Sequence, residues 1–165
     1  ADIGVAWISD RSTSPNCTKN VIVLYGSPLG LRGEGALVLR DSMASPCSPR
    51  RHIIVAGAGD VDGDGYSDII TGNADASRAL LYRGSMRGGS GSPSIPLPGP
   101  TMTAQYGYAV AGVGDINGDG YADVAVGAPG ENRVYIYTGS ASGLNPMPAS
   151  TLTASMNRFG SIIAR

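Results

Sequence analysis

Phenylalanine, tryptophan and histidine each occur once in this chain of 165 residues, and cysteine only twice. Thiol and imidazole this scarce argue against a zinc or copper site. The single histidine, His52, stands before an apolar run with no acidic neighbour and no Ser or Cys nucleophile motif, and reads as structural. Charge is also scarce, at 15% of residues against a usual ~25%. The 12 basic residues are scattered singly apart from Arg50-Arg51, and no aromatic-basic platform accompanies them, which argues against nucleic acid. No apolar run exceeds the length of a strand, so no membrane span is expected. Nor is there a signal-peptide pattern, as expected of a mature secreted form or an excised domain. Sustained helical spacing is missing, and 25 Gly with 11 Pro punctuate the chain.

What the chain does have is concentrated. Of its 13 acidic residues, seven fall in "GDVDGDGYSD" (59–68) and "GDINGDGYAD" (114–123). Neither window contains a Lys or Arg. Like charges ~4 Å apart cost about 1 kcal/mol in water and about 4 kcal/mol at a surface-like dielectric, so a bound cation is the simplest counter-charge. Carboxylate or carboxamide oxygens stand at loop positions 1, 3, 5 and 9: Asp60, Asp62, Asp64 and Asp68, then Asp115, Asn117, Asp119 and Asp123. Gly65 and Gly120 occupy position 6, where the chain must turn, and Tyr66 and Tyr121 at position 7 can offer backbone carbonyls. An all-oxygen set of this kind suits Ca²⁺. These are not EF-hands, because position 12 is Thr71 or Val126 and the flanks are β-branched runs rather than helices. Ligand charge alone expects the first loop, with four carboxylates, to bind more tightly than the second, with three.

The two loops are 55 residues apart, and so are "YRGS" (82–85) and "YTGS" (137–140). A degenerate third copy opens the chain, with "LYGS" at 24–27. Each unit reads as four short strands, placed in the clearest unit at 106–114, 123–128, 133–138 and 149–154. An all-β fold of four-stranded antiparallel blades, a β-propeller, follows from that period. The proline-rich stretch 90–100 fits an outer edge strand. The expected organisation is one module over 1–165: a partial blade 1–49, a blade 50–104, a blade 105–157, and a terminal strand within 158–165.

"YGYAVAGVGDINGDGYADVAVGAPG" (106–130) closely resembles the FG-GAP repeat of integrin α-subunit propellers and their bacterial relatives. Tyr106-Gly107 supplies the aromatic-Gly opening, repeated as Phe159-Gly160, and Gly127-Ala128-Pro129 supplies the Gly-Ala-Pro. The blade at 50–104 departs from the pattern, with Arg51-His52 and "TGNAD" (71–75) in those places. The resemblance implies Ca²⁺ in the loops between first and second strands on one face, and partner binding mostly on the opposite face.

The first unit lacks its first strand while the C-terminal residues supply a spare one. Two arrangements follow: a homodimer made by exchange of terminal strands, or a piece of a longer propeller. Cys17 and Cys47 fall on connections that emerge on one face of an up-and-down blade. They are expected either to form a disulfide, implying an oxidising compartment, or to be unrelated thiols. The long loop 9–20 is a candidate contact surface, and Asn16-Cys17-Thr18 within it fits a glycosylation acceptor. Tyr82, Tyr135 and Tyr137 are expected in the packing between strands. The functional expectation is a secreted or cell-surface, calcium-stabilised binding and adhesion scaffold without catalysis, whose ligand is a protein or glycan. The alternative is a carbohydrate-binding lectin module or an accessory domain of a polysaccharide-active enzyme, with Trp7 as the sugar-stacking residue.

Overall fold

The computed structural model describes residues 3–10, 18–27, 30–42, 53–85 and 94–164, the first three segments as backbone and strand pairing. They form three antiparallel sheets in which consecutive strands are neighbours. The first sheet holds β1 (Ile3–Asp10), β2 (Thr18–Ser27) and β3 (Gly30–Ser42). The second holds β4 (Ile54–Gly59), β5 (Asp68–Asn73), β6 (Arg78–Tyr82) and β7 (Ile95–Pro98). The third holds β8 (Ala109–Gly114), β9 (Asp123–Ala128), β10 (Arg133–Tyr137) and β11 (Ser150–Thr153). Among the described residues there is no α-helix, only a 3₁₀ turn at Met102–Ala104. The all-β, four-stranded repeat read from the sequence is therefore the fold, and the sheets are blades of a partial β-propeller.

Side-chain alternation explains how the blades stack. On β10, Val134 and Ile136 pack with Ala125 of β9, while Tyr135 and Tyr137 point the other way with Val124 and Val126. β5 and β9 are buried at every position, as central strands covered on both faces must be. β7 lies at the edge of its sheet, where Pro96 and Pro98 remove no hydrogen bond that a further strand would need. One core cluster joins the second and third sheets, running from Ile70, Leu81 and Leu97 through Tyr106 to Val124 and Tyr137.

Tyr106 is the centre of that cluster. Its ring meets Tyr135 edge-on at 5.6 Å, and its hydroxyl is 2.7 Å from that of Tyr137. Burial pushes both the Tyr106 and Tyr137 hydroxyls above the usual phenol range, so both stay neutral and one donates to the other. Tyr82, Tyr135 and Tyr137 are all buried, as expected.

Three boundaries differ from expectation. Residues 106–108 belong to a turn rather than to the strand, because Gln105 (φ 53°) and Gly107 (φ 83°) are left-handed there and fold Tyr106 inward. The space is closed: a Cβ on Gly107 would strike the Arg78 carbonyl, and one on Gly72 would strike the Gly107 carbonyl. The same pair of approaches recurs one blade on, Gly160 against Arg133 and Gly127 against Gly160. Secondly, residues 158–164 form that second turn and then run irregularly, since no described strand lies alongside to take their hydrogen bonds. Phe159 and Ile163 pack on Ala125, Val134 and Ile136, whereas Ile162 is 85% exposed. Thirdly, the two ends of the stretch 9–20 are strand: Ser9 pairs with Asn20 and Asp10 with Lys19. Residues 11–17 between them lie outside the described residues, as do Cys17, Cys47 and His52 and the side chain of Trp7.

Replacing Tyr106 by Phe leaves the buried Tyr137 hydroxyl without its partner, and should cost about 1–3 kcal/mol in denaturant unfolding. Tyr108→Phe should cost less than Tyr106→Phe. Gly72→Ala, which sets a methyl against backbone, should cost more than Tyr106→Phe.

Candidate metal centre

Both acidic loops leave their first strand through a β-bulge, at Ala58 between Gly57 and Gly59, and at Val113 between Gly112 and Gly114. The bulge adds one residue and bends the strand just before the first aspartate. From there the two loops repeat the same set of bonds from backbone amides to side chains. Asp60 Oδ1 accepts from the amides of Gly63 (2.7 Å) and Asp64 (3.1 Å), and Oδ2 from Gly65 (2.8 Å). Asp115 does the same with Gly118 (2.7 Å), Asp119 (3.1 Å) and Gly120 (2.8 Å). These amides, Gly120 foremost, hold the Asp115 carboxyl below the usual range. Asp62 Oδ1 accepts from Asp64 N and Asn117 Oδ1 from Asp119 N. Asp64 and Asp119 in turn accept from the amides of Tyr66 and Tyr121. Gly65 (φ 86°) and Gly120 (φ 92°) make the left-handed turn that position 6 requires.

Position 9 has a second task. Asp68 and Asp123 are fully buried, and each carboxylate clamps two chain segments. Asp68 Oδ2 accepts from Val61 N (3.0 Å) inside the loop, and Oδ1 from Gly84 N (2.7 Å) beyond β6. Asp123 repeats this with Ile116 N (2.9 Å) and Gly139 N (2.9 Å). Burial pushes the Asp68 carboxyl up to about 6; the Gly84 and Val61 amides oppose the shift, and Asp62 and Asp64 add to it.

The structure brings Asp60, Asp62 and Asp68 together, with one oxygen of each within 4.8 Å of the others. Asp64 is not part of that group. Asn117 stands in the second loop at the position matching Asp62, and among the described residues the first loop forms the one such acidic group. The donor set is hard oxygen throughout and fits a divalent cation of the Ca²⁺ kind.

Two features escaped the sequence reading. Arg83, from just beyond β6, reaches the first loop, with Nε 3.2 Å from Asp62 Oδ2. The loops are also tied across the seam between sheets: Ala122 N donates to the Asp60 carbonyl (2.9 Å) and Ser140 N to the Val61 carbonyl (3.0 Å). A signal for Arg83 was present in the repeat, where "YRGS" and "YTGS" differ only at that position.

The clamp makes a prediction independent of any ion. Asp68→Asn or Asp123→Asn turns one acceptor into a donor facing a buried amide, and each should cost about 1–3 kcal/mol with EGTA present. The raised Asp68 value means that the folded chain binds the proton more tightly than the unfolded one. That contribution to metal-free stability is complete below the ordinary carboxylate value and is lost as pH rises through 6. In EGTA, the Asp68 carboxyl should titrate near 6 by NMR and the thermal midpoint should rise as pH falls from 7 to 5.

Residues 60–126 match the FG-GAP-like repeat family. Integrin alpha-6 of Gallus gallus is 42% identical over 118 residues, covering 64% of this chain and 11% of the relative. Integrin alpha-6 of Homo sapiens is 36% identical over 115 residues, covering 64% of this chain and 10% of the relative. Integrin alpha-IIb of Mus musculus is 34% identical over 111 residues, covering 56% and 11% respectively. The chain thus spans about a tenth of the length of the relatives it matches. With the repeated oxygen-rich loops and the stacked four-stranded blades, these matches identify an FG-GAP-like repeat at residues 60–126 and make the chain similar to integrin alpha subunits over 64% of its length.

Proposed function

We propose that the chain is a calcium-stabilised binding and adhesion scaffold acting outside the cell or at its surface, with a protein or glycan as its ligand and no chemistry of its own. The observation that carries the reading is the convergence of Asp60, Asp62 and Asp68, on a loop whose hydrogen-bond pattern is repeated at 115–123. In the proposed site the ligands are Asp60, Asp62, Asp64, Asp68 and the Tyr66 carbonyl, and in the second loop Asp115, Asn117, Asp119, Asp123 and the Tyr121 carbonyl. A bound Ca²⁺ supplies positive charge that cancels carboxylate repulsion. The chain's own part is to fix the loop through position 1 and to fasten it to the strand beyond through position 9.

Antiparallel topology puts the β5–β6 and β9–β10 turns at the other end of the sheets from the acidic loops, and these turns are the proposed ligand-facing surface. One is already ordered there: Glu131 accepts from the hydroxyls of Thr101 (3.0 Å) and Tyr135 (3.2 Å) and pairs with Arg133. The integrin names of the relatives support adhesion and a cell-surface location for this chain. Among the described residues no helix is long and apolar enough to cross a membrane. A homodimer by exchange of terminal strands belongs to the same proposal. It is supported by the turn at Gly160, which repeats the turn at Gly107 and leads into residues that pair with no strand among the described residues.

Extracellular sites of this type bind calcium at about 10⁻⁴–10⁻³ M, so 10 mM calcium should add about 1.4–2.7 kcal/mol of stability per loop. Thermal unfolding in calcium against EGTA measures this, and identical midpoints would overturn the reading. Light scattering in calcium should give the mass of two chains; a one-chain mass removes the exchange.

A further inference from the structure

We propose that Arg83 is a built-in counter-cation of the first acidic loop, setting that loop's affinity for its divalent ion and linking it to the neighbouring sheet. The inference rests on the calcium reading above and concerns a residue outside the ligand pattern.

Among the places where the two repeats differ, two concern charge at the acidic loop. Asp62 in the first is Asn117 in the second, and Arg83 is Thr138, each pair 55 residues apart. The differences meet in space. Asp62 and Asn117 both spend Oδ1 on the backbone amide two residues on. The remaining atom on Asp62 is Oδ2, which faces Arg83 Nε at 3.2 Å. On Asn117 it is Nδ2, which donates to Asp119 Oδ2 at 2.9 Å. A guanidinium is thus present where the loop carries a fourth carboxylate and absent where it carries a carboxamide. Four negative charges less one positive leave the first loop with the same net charge as the second. Counting carboxylates alone overstates the first loop's pull on a cation.

The guanidinium is held in place rather than left to solvent. Arg83 Nη2 donates to the Ser142 carbonyl at 2.6 Å, and Gly143 (φ 99°) leaves room for it, since a Cβ there would collide with the same nitrogen. Ser142 and Gly143 lie on the connection from β10 to β11, in the next blade. Asp62 is the more enclosed partner, its side chain 7% exposed against 39% for Arg83, so the pair is incompletely screened by water. The guanidinium and an incoming ion both draw on the Asp62 carboxylate. Without the ion, Arg83 relieves carboxylate repulsion; with it, Arg83 opposes binding.

A unit charge about 6 Å from a divalent ion in a water-like dielectric changes affinity roughly tenfold. The test is calorimetric titration with calcium chloride on the full chain carrying Asp119→Ala, which disables the second loop. Adding Arg83→Met should tighten the first loop about tenfold and lower the thermal midpoint in EGTA. Arg83→Lys should keep the affinity within about twofold of the parent, because the charge is retained. Asp62→Asn together with Arg83→Met should return the affinity toward the parent value, while Asp62→Asn alone should weaken it. Arg158→Gln, outside both acidic loops and the proposed ligand-facing turns, should leave the calcium affinity unchanged. If Arg83 were only a latch on Ser142, Met would lower stability with and without calcium equally and leave the affinity unmoved, which overturns the inference while sparing the calcium reading. No calcium heat in either the parent or the unmodified chain overturns both.

Discussion

A buried carboxylate that accepts two backbone amides is the constraint on which the rest of each blade depends. Asp68 and Asp123 sit at the start of the second strand and reach both the preceding loop and the residue after the third strand. Two amides that the sheet ladder does not use are satisfied by one side chain, in a place where an unpaired polar group costs 1–3 kcal/mol. Burial that would otherwise expel the charge is offset by those amides and, in the proposed function, by the cation. Loop geometry, strand registration and, in the proposed function, ion binding therefore depend on the same residue.

Much of this was legible in the sequence because it repeats. The 55-residue spacing gave the number of strands per unit, and β9, at 123–128, lies where the β-branched run put it. The acidic pattern gave the loops, since seven carboxylates in two short windows have few other uses. Less was legible where a residue acts at a distance. Nothing local in "YRGS" announces that Arg83 turns back onto Asp62, or that Ser142 of the next blade receives its other end. The apolar character of the aromatic-Gly opening fits the first residues of a strand. Only the left-handed backbone at Gln105 and Gly107 shows that it is a turn driving Tyr106 into the core.

The blades communicate through the loops as well as the core. The Asp60 and Val61 carbonyls accept amides from Ala122 and Ser140, so the first loop rests against the exit of the second. A change in the shape of one acidic loop is thereby passed to the blade beside it without any side-chain relay. This places the proposed ion site at the joint between repeats, where an ion could influence how rigidly the opposite turns are presented.

At the seams, backbone meets backbone: Gly72 lies against the carbonyl of Gly107, and Gly127 against that of Gly160. The gap between sheets is therefore fixed by covalent geometry instead of by rotamers that can yield. For a module under tension, as an attachment protein would be, this has a mechanical meaning. Pulling on one blade transmits force to its neighbour through short, stiff junctions, and compliance is left to the surface connections, which can stretch without disturbing the wheel.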